Sequence, residues 1–167
     1  EEKLLEIDFD GLRAINEDIV AWIQIPGIGV DYPVVQGKDN EHYLHYTFDG
    51  KENKAGSIFL DYRNRADFTD SKMILYGHNM KDGSMFSNLK KYQNTAFRKE
   101  QGRVLIYLPD KVLECEIVEC RQVSVKDSVY EVMREEEKDR PEEIILSTCS
   151  AMSNKRLIIK CVINCIR

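Results

Sequence analysis

A chain of 167 residues suits one domain with a single core, long enough to bury about two-thirds of the surface that its unfolded form exposes. Hydrophobic residues make up 43% and charged residues 32%, the balance of an ordinary globular domain, and a formal net charge of -5 removes any broad electrostatic reason to bind nucleic acid. No apolar run approaches the roughly 20 residues of a membrane-spanning helix, and no signal peptide is visible.

From Glu1 to Asn16, Leu4, Leu5, Leu12 and Ile15 fall at loosely helical spacing behind an acidic start. This predicts one helix or two short ones packed on the outside, an N-terminal helical segment over 1–17 of a single domain spanning 1–167. Val20 to Ile25 reads as a strand anchored by Trp22 and ended by Pro26-Gly27. Gly29 to Gln36 reads as a second, which Pro33 confines to a sheet edge or breaks. The segment from Lys38 to Gly50 carries His42, Tyr43, His45, Tyr46 and Phe48. His42 and His45 can share a helical face, yet no nearby cysteine or suitably spaced carboxylate completes a metal-ligand set. Strands are expected at Ser57 to Asp61 and Lys72 to Tyr76, the latter leading through Gly77 to His78. After the Asp82-Gly83 turn, Met85, Phe86 and Leu89 form a core-facing stripe on a helix from Ser84 to Tyr92. A short helix, Thr95 to Lys99, precedes a hairpin of Val104 to Leu108, a Pro109-Asp110 turn and Val112 to Val123. Ser128 to Arg140 is a charge run read as a helix with a solvated face, placed to wall a cleft beside the strand that follows.

That strand, Ile144 to Leu146, runs on through Ser147 and Thr148 to Cys149. A polar turn then leads to Arg156, which opens the apolar run Leu157 to Ile163. If the two runs pair antiparallel, Arg156 returns to the level of Cys149 on the neighbouring strand, where a cation can act on thiol chemistry. His78 supplies a group able to serve as base and as acid near neutral pH. A thiol and an imidazole at strand ends are what cysteine acyl transfer needs. The five cysteines are an odd number, so at least one thiol lacks an intramolecular partner. Cys161 and Cys165 lie about 13 Å apart along a strand, too far for a disulfide or a shared metal. In an unbroken strand Cys115 and Cys120 point to opposite faces. These four read as core or edge residues, with cross-strand disulfides between the pairs left open. Eight strand signals, sparse helices and many short turns argue for a closed or nearly closed β-barrel with helices outside it.

Tyr-Gly-His at 76 to 78, Leu-Ser-Thr-Cys at 146 to 149 and Arg156 together resemble the sortases, cysteine transpeptidases of Gram-positive cell surfaces. Asp31 to Gly37, Asn40 to Leu44, Gly56 to Asn64 and Met85-Phe86 resemble class B in particular, from about Trp22 to the chain's end. The resemblance implies an eight-stranded, mainly β barrel with peripheral helices. It implies catalysis by Cys149 as nucleophile, His78 as acid and base, and Arg156 on the oxyanion or substrate backbone, with Asn40, Leu44, Tyr76, Ser147 and Thr148 lining the substrate groove.

The implied reaction cleaves a C-terminal sorting signal after its threonine, holds the acyl group as a thioester on Cys149, and passes it to a peptidoglycan amine. A pilin amine is the alternative acceptor, and a catalytically silent surface-binding domain is the reading from another class. No metal or organic cofactor is required. The resemblance also implies a place on the outer face of the cytoplasmic membrane, through an anchor upstream of Glu1. Two departures stand out. Ser150 and Ala151 follow the cysteine where some relatives carry an acid, so no carboxylate there orients His78. The stretch between Val123 and Ile144 is shorter than in familiar class B members, which carry a longer helix there.

Overall fold

A computed structural model describes residues 3–133, 135–149 and 153–167. Eight strands close into one barrel: β1 (Ile19–Ile25), β2 (Val30–Val35), β3 (Ile58–Leu60), β4 (Lys72–His78), β5 (Arg103–Tyr107), β6 (Val112–Ser124), β7 (Glu143–Cys149) and β8 (Lys155–Ile166). Around the barrel the order is β1-β2-β3-β4-β7-β8-β6-β5. The β2/β3 and β4/β7 pairs are parallel, and the rest are antiparallel. The eight-stranded barrel is as expected. Among the described residues no helix is long and apolar enough to cross a membrane.

Strand alternation sorts the side chains into an interior and two outer layers. Ile23, Ile25, Val34, Ile58, Leu60, Met73, Leu75, Ile144, Leu146, Ile159 and Cys161 fill the interior. An outer layer of Ile19, Val35, Phe59, Leu105 and Tyr107 is covered by Phe9 and Tyr43. A second, of Ile74, Val123, Ile145 and Ile158, is covered by Val129, Tyr130 and Val132.

Several local expectations are corrected. Helix α1 spans only Phe9–Ile15, because Asp8 caps it by accepting a hydrogen bond from Gly11 N at 3.0 Å. Leu4 and Leu5 therefore precede the helix, and Ile15 is exposed rather than packed; Glu1 and Glu2 lie outside the described residues. β2 is not an edge strand, since it pairs on both sides. The β3 ladder begins only opposite Val34, so the proline has no partner to fail on that flank.

The helix expected from Ser84 is a 3-10 helix over Ser87–Gln93. Met85 bridges to Asn79 with a left-handed φ of 59°, a conformation a helix cannot contain; Met85, Phe86 and Leu89 are buried as expected. Helix α2, Thr95–Gln101, is present and slightly longer than expected.

Among its described residues the charge run forms no helix beyond one 3-10 turn, Ser128–Tyr130. Its backbone bonds instead to the loop before β4: Lys138 N donates to Thr69 O and Glu142 N to Ser71 O, both at 2.8 Å. Arg134, within that run, lies outside the described residues. All five cysteines are free thiols. A bulge in β6 between Ile117 and Glu119 shifts the alternation, so that Cys115 and Cys120 share the inner face instead of opposing each other.

Candidate active site

The same alternation that fills the barrel with Met73, Leu75, Ile144 and Leu146 turns the intervening residues of β4 and β7 outward. Tyr76, His78, Ser147 and Cys149 thus lie on one outer face. In the parallel β4/β7 ladder Tyr76 is opposite Ser147 and His78 opposite Cys149, on neighbouring strands whose backbones are spaced about 4.8 Å apart. The β7/β8 register, Ser147 against Ile158, carried two residues further brings Arg156 opposite Cys149. At the rung between, Thr148 Oγ1 accepts from Leu157 N at 3.1 Å, so a side chain continues the ladder where the strands splay. His78, Cys149 and Arg156 border one cavity of about 430 Å³, with Asn40, Leu44, Tyr76, Ser147 and Thr148. Every site residue expected from the sequence is brought together there.

Tight packing under His78 comes from Gly77, whose position would put a Cβ 2.5 Å from Ile58 Cδ1 and 2.7 Å from Phe86 Cδ2. The imidazole is held by backbone: His78 Nε2 lies 2.7 Å from Leu44 O. A carbonyl only accepts, so Nε2 carries a hydrogen, and in the neutral ring Nδ1 is then the nitrogen with the lone pair. The Leu44 carbonyl fixes ring and tautomer as a carboxylate would. Ser150 and Ala151 lie outside the described residues.

Burial pushes the Cys149 thiol up to about 12, against the opposing pull of the Arg156 charge and the Gly77 backbone. Burial thus favours the neutral thiol over the thiolate. Arg156 donates through Nη1 to the carbonyls of Ser153 and Lys155, 3.0 Å for the latter, which ties its guanidinium to the turn it leaves.

A family model for the sortase domain matches residues 23–164. The chain belongs to the sortase family. Its likenesses fall in class B. Sortase B of Listeria monocytogenes is 50% identical over 86 residues, a match covering 52% of this chain and 35% of that protein, so the aligned part spans about a third of the curated relative. The fold of this sortase superimposes with a TM-score of 0.84 and 27% identity on a Staphylococcus aureus sortase B-substrate complex, covering 93% of this chain and 84% of that one. A Streptococcus pyogenes class B sortase involved in pilus biogenesis gives 0.81 and 30%, covering 95% and 98%.

The groove of this sortase also contains residues with no role assigned from its sequence. Tyr130, Phe59, Val125 and His45 complete the lining. The Tyr130 hydroxyl lies 2.7 Å from Ser147 Oγ and covers that residue, which is only 1% exposed. Thr148 meets the groove while its hydroxyl is engaged with Leu157. Tyr76 stacks on Phe59 and Tyr130, with ring centroids at 5.1 and 6.3 Å, and its hydroxyl donates to Asp61 Oδ2 at 2.7 Å. Asn40 Nδ2 reaches the same oxygen at 3.0 Å. Asp61 is fully buried. Its signal in the sequence is a carboxylate ending the apolar run Ile58-Phe59-Leu60. Outside the metal reading weighed for it, His42 stacks on Tyr46 with centroids 4.5 Å apart.

Proposed function

We propose that this sortase domain is a cysteine transpeptidase in which Cys149 is the nucleophile, His78 the general acid and base, and Arg156 the donor to the oxyanion or the substrate backbone. The observation that supports the reading is that His78 and Cys149 are opposite each other in the β4/β7 ladder on one outward face and that Arg156 borders the same cavity.

Because burial favours the neutral thiol, Sγ–H gives its proton to His78 Nδ1 as sulfur attacks the peptide carbonyl. Negative charge builds on the carbonyl oxygen, where a permanently charged, planar guanidinium is well suited to donate. As the tetrahedral intermediate collapses, the C–N bond breaks and His78 returns the proton to the departing amine. A thioester remains on Cys149. An incoming amine then attacks it, His78 takes the amine's proton, and the thiol is restored as the new amide forms.

The donor is a surface protein bearing a C-terminal sorting signal, cut after its threonine, with Asn40, Leu44 and Tyr76 along the groove and Ser147 and Thr148 on its floor. The acceptor is a cell-wall peptidoglycan amine, and the enzyme works on the outer face of the membrane of a Gram-positive cell, through an anchor upstream of this domain. A pilin lysine is the second reading, favoured by the likeness to the pilus-biogenesis sortase.

Incubating the domain with a sorting-signal peptide panel and either a peptidoglycan cross-bridge amine or a lysine-bearing pilin domain separates these readings. Cell-wall anchoring predicts ligation to the cross-bridge amine. Product only with the pilin lysine transfers the assignment to pilus assembly, and cleavage of no peptide defeats the transpeptidase reading.

A further inference from the structure

Among its described residues the β6–β7 connection has no helix beyond the 3-10 turn Ser128–Tyr130, yet it forms one wall of the groove through Val125 and Tyr130. Val129, Tyr130 and Val132 pack on the second outer layer, and a polar anchor adds to that packing. The only charged side chain among the described residues that reaches the Tyr130 backbone is Arg63, whose Nη2 donates to Tyr130 O at 2.8 Å. The same guanidinium grips Asp61 from two sides, Nε to Oδ1 and Nη2 to Oδ2, both at 2.9 Å, and Arg63 N adds a third bond to Oδ1 at 3.0 Å. Asp61 Oδ2 also accepts from Asn40 and Tyr76. Asn40 is pinned at its other end, its Oδ1 accepting from Tyr62 N at 2.9 Å. One buried carboxylate and one arginine thereby connect both walls of the groove.

We infer that the Asp61–Arg63 pair is a positioning element that sets the width of the substrate groove, fixing Asn40 and Tyr76 on one side and Tyr130 on the other; its bearing on substrate rests on reading this groove as the sorting-peptide site. Neither residue borders the cavity, so the pair acts through those it holds. The planar fork matters, because a lysine offers a single point charge and cannot engage Asp61 along one edge while also reaching the Tyr130 carbonyl.

A neighbouring pair supplies the control. Arg65 bonds Asp70 Oδ1 at 2.9 Å and Glu135 O at 3.2 Å, tying down the same connection further along, away from the cavity.

The test compares Arg63→Gln with Arg65→Gln. Hydrogen exchange is read at Val129, Tyr130 and Glu131, whose amides are bonded within the 3-10 turn. Steady-state kinetics use a cleaved sorting peptide, and Cys149 alkylation uses a small reagent. In Arg63→Gln, exchange at these amides and KM each rise about tenfold, the equivalent of one charge-assisted hydrogen bond. Its kcat and alkylation rate stay within about twofold of wild type. Arg65→Gln leaves exchange at these amides and KM unchanged. Arg63→Lys behaves like Arg63→Gln. Unchanged exchange in Arg63→Gln, an equal effect from Arg65→Gln, or a fall in kcat and alkylation matching the rise in KM overturns the inference. Should the wild type cleave no peptide, the transpeptidase reading fails, while exchange still decides whether the pair holds the wall.

Discussion

The role proposed for His78 as base and acid requires one nitrogen to be presented and the other held, and in this domain the holder is a main-chain carbonyl, that of Leu44. Gly56 keeps that carbonyl in place: with φ +59°, a Cβ there would stand 2.4 Å from Tyr43 O and 2.8 Å from Leu44 O. Gly56→Ala should cost about 1–3 kcal/mol of stability through strain and contact and slow acylation about tenfold by turning His78, measured by chemical denaturation alongside single-turnover acylation; wild-type acylation in a destabilised variant would show that Leu44 does not orient the ring. The thiol makes a second prediction. Since burial holds Cys149 near 12, native-state alkylation should climb about tenfold per pH unit from pH 6 to 9, in step with the thiolate fraction. A plateau at neutral pH would instead mean a standing thiolate-imidazolium pair. Cys149, His78 and Arg156 were legible because a thiol, an imidazole and a guanidinium at strand ends are conspicuous. The Leu44 carbonyl was not, because every residue has one.

Among the elements, β7 is the one on which the site depends. Its inward residues Ile144 and Leu146 are fully buried, and its outward Ser147 and Cys149 reach the groove. Leu146→Ala should cost about 2–5 kcal/mol, seen as a shifted denaturation midpoint with an unchanged slope. A loss below about 1 kcal/mol would mean that the strand is not packed as described. The strands themselves were readable, since period-two apolar runs survive in any register. The charge run after β6 was not. Lys138 within it and Glu142 just beyond it form the 3.1 Å ion pair at i and i+4 that a helix would display, yet the backbone around them bonds to the loop between β3 and β4, a tertiary competition that composition cannot express.

Across the whole molecule, barrel closure is what brings distant residues together. That eight runs would close was legible from their number and spacing. The parallel pairing of β4 with β7, which sets His78 beside Cys149, was not, because nothing local encodes a register between strands so far apart in the chain. Burial also gives the fold an alkaline limit. Cys115 and Cys149 are pushed up to about 12, and Cys161 is raised too, each mainly by burial. Unfolded thiols ionise near 8.5, so above that pH the native state binds more protons than the unfolded state, and stability falls as pH rises towards the folded values. Equilibrium unfolding between pH 7 and 10 should show this decline, with a shallower slope in Cys161→Val; a flat profile would remove the thiols as its source. At the acid end burial opposes the Asp61 charge, but the Arg63 and Tyr76 hydrogen bonds outweigh it and hold the carboxyl below its usual range. Its contribution is therefore complete above that range and lost as pH falls through the depressed value.

The most direct measurement is the intact mass of the domain after incubation with a threonine-containing sorting peptide, without an acceptor amine. Transpeptidation through Cys149 requires added mass equal to the acyl half of the peptide, confined to Cys149, released by hydroxylamine, and absent from Cys149→Ala and His78→Ala variants that remain folded. No adduct across a peptide library, or one carried by Cys120 or Cys165, would contradict it.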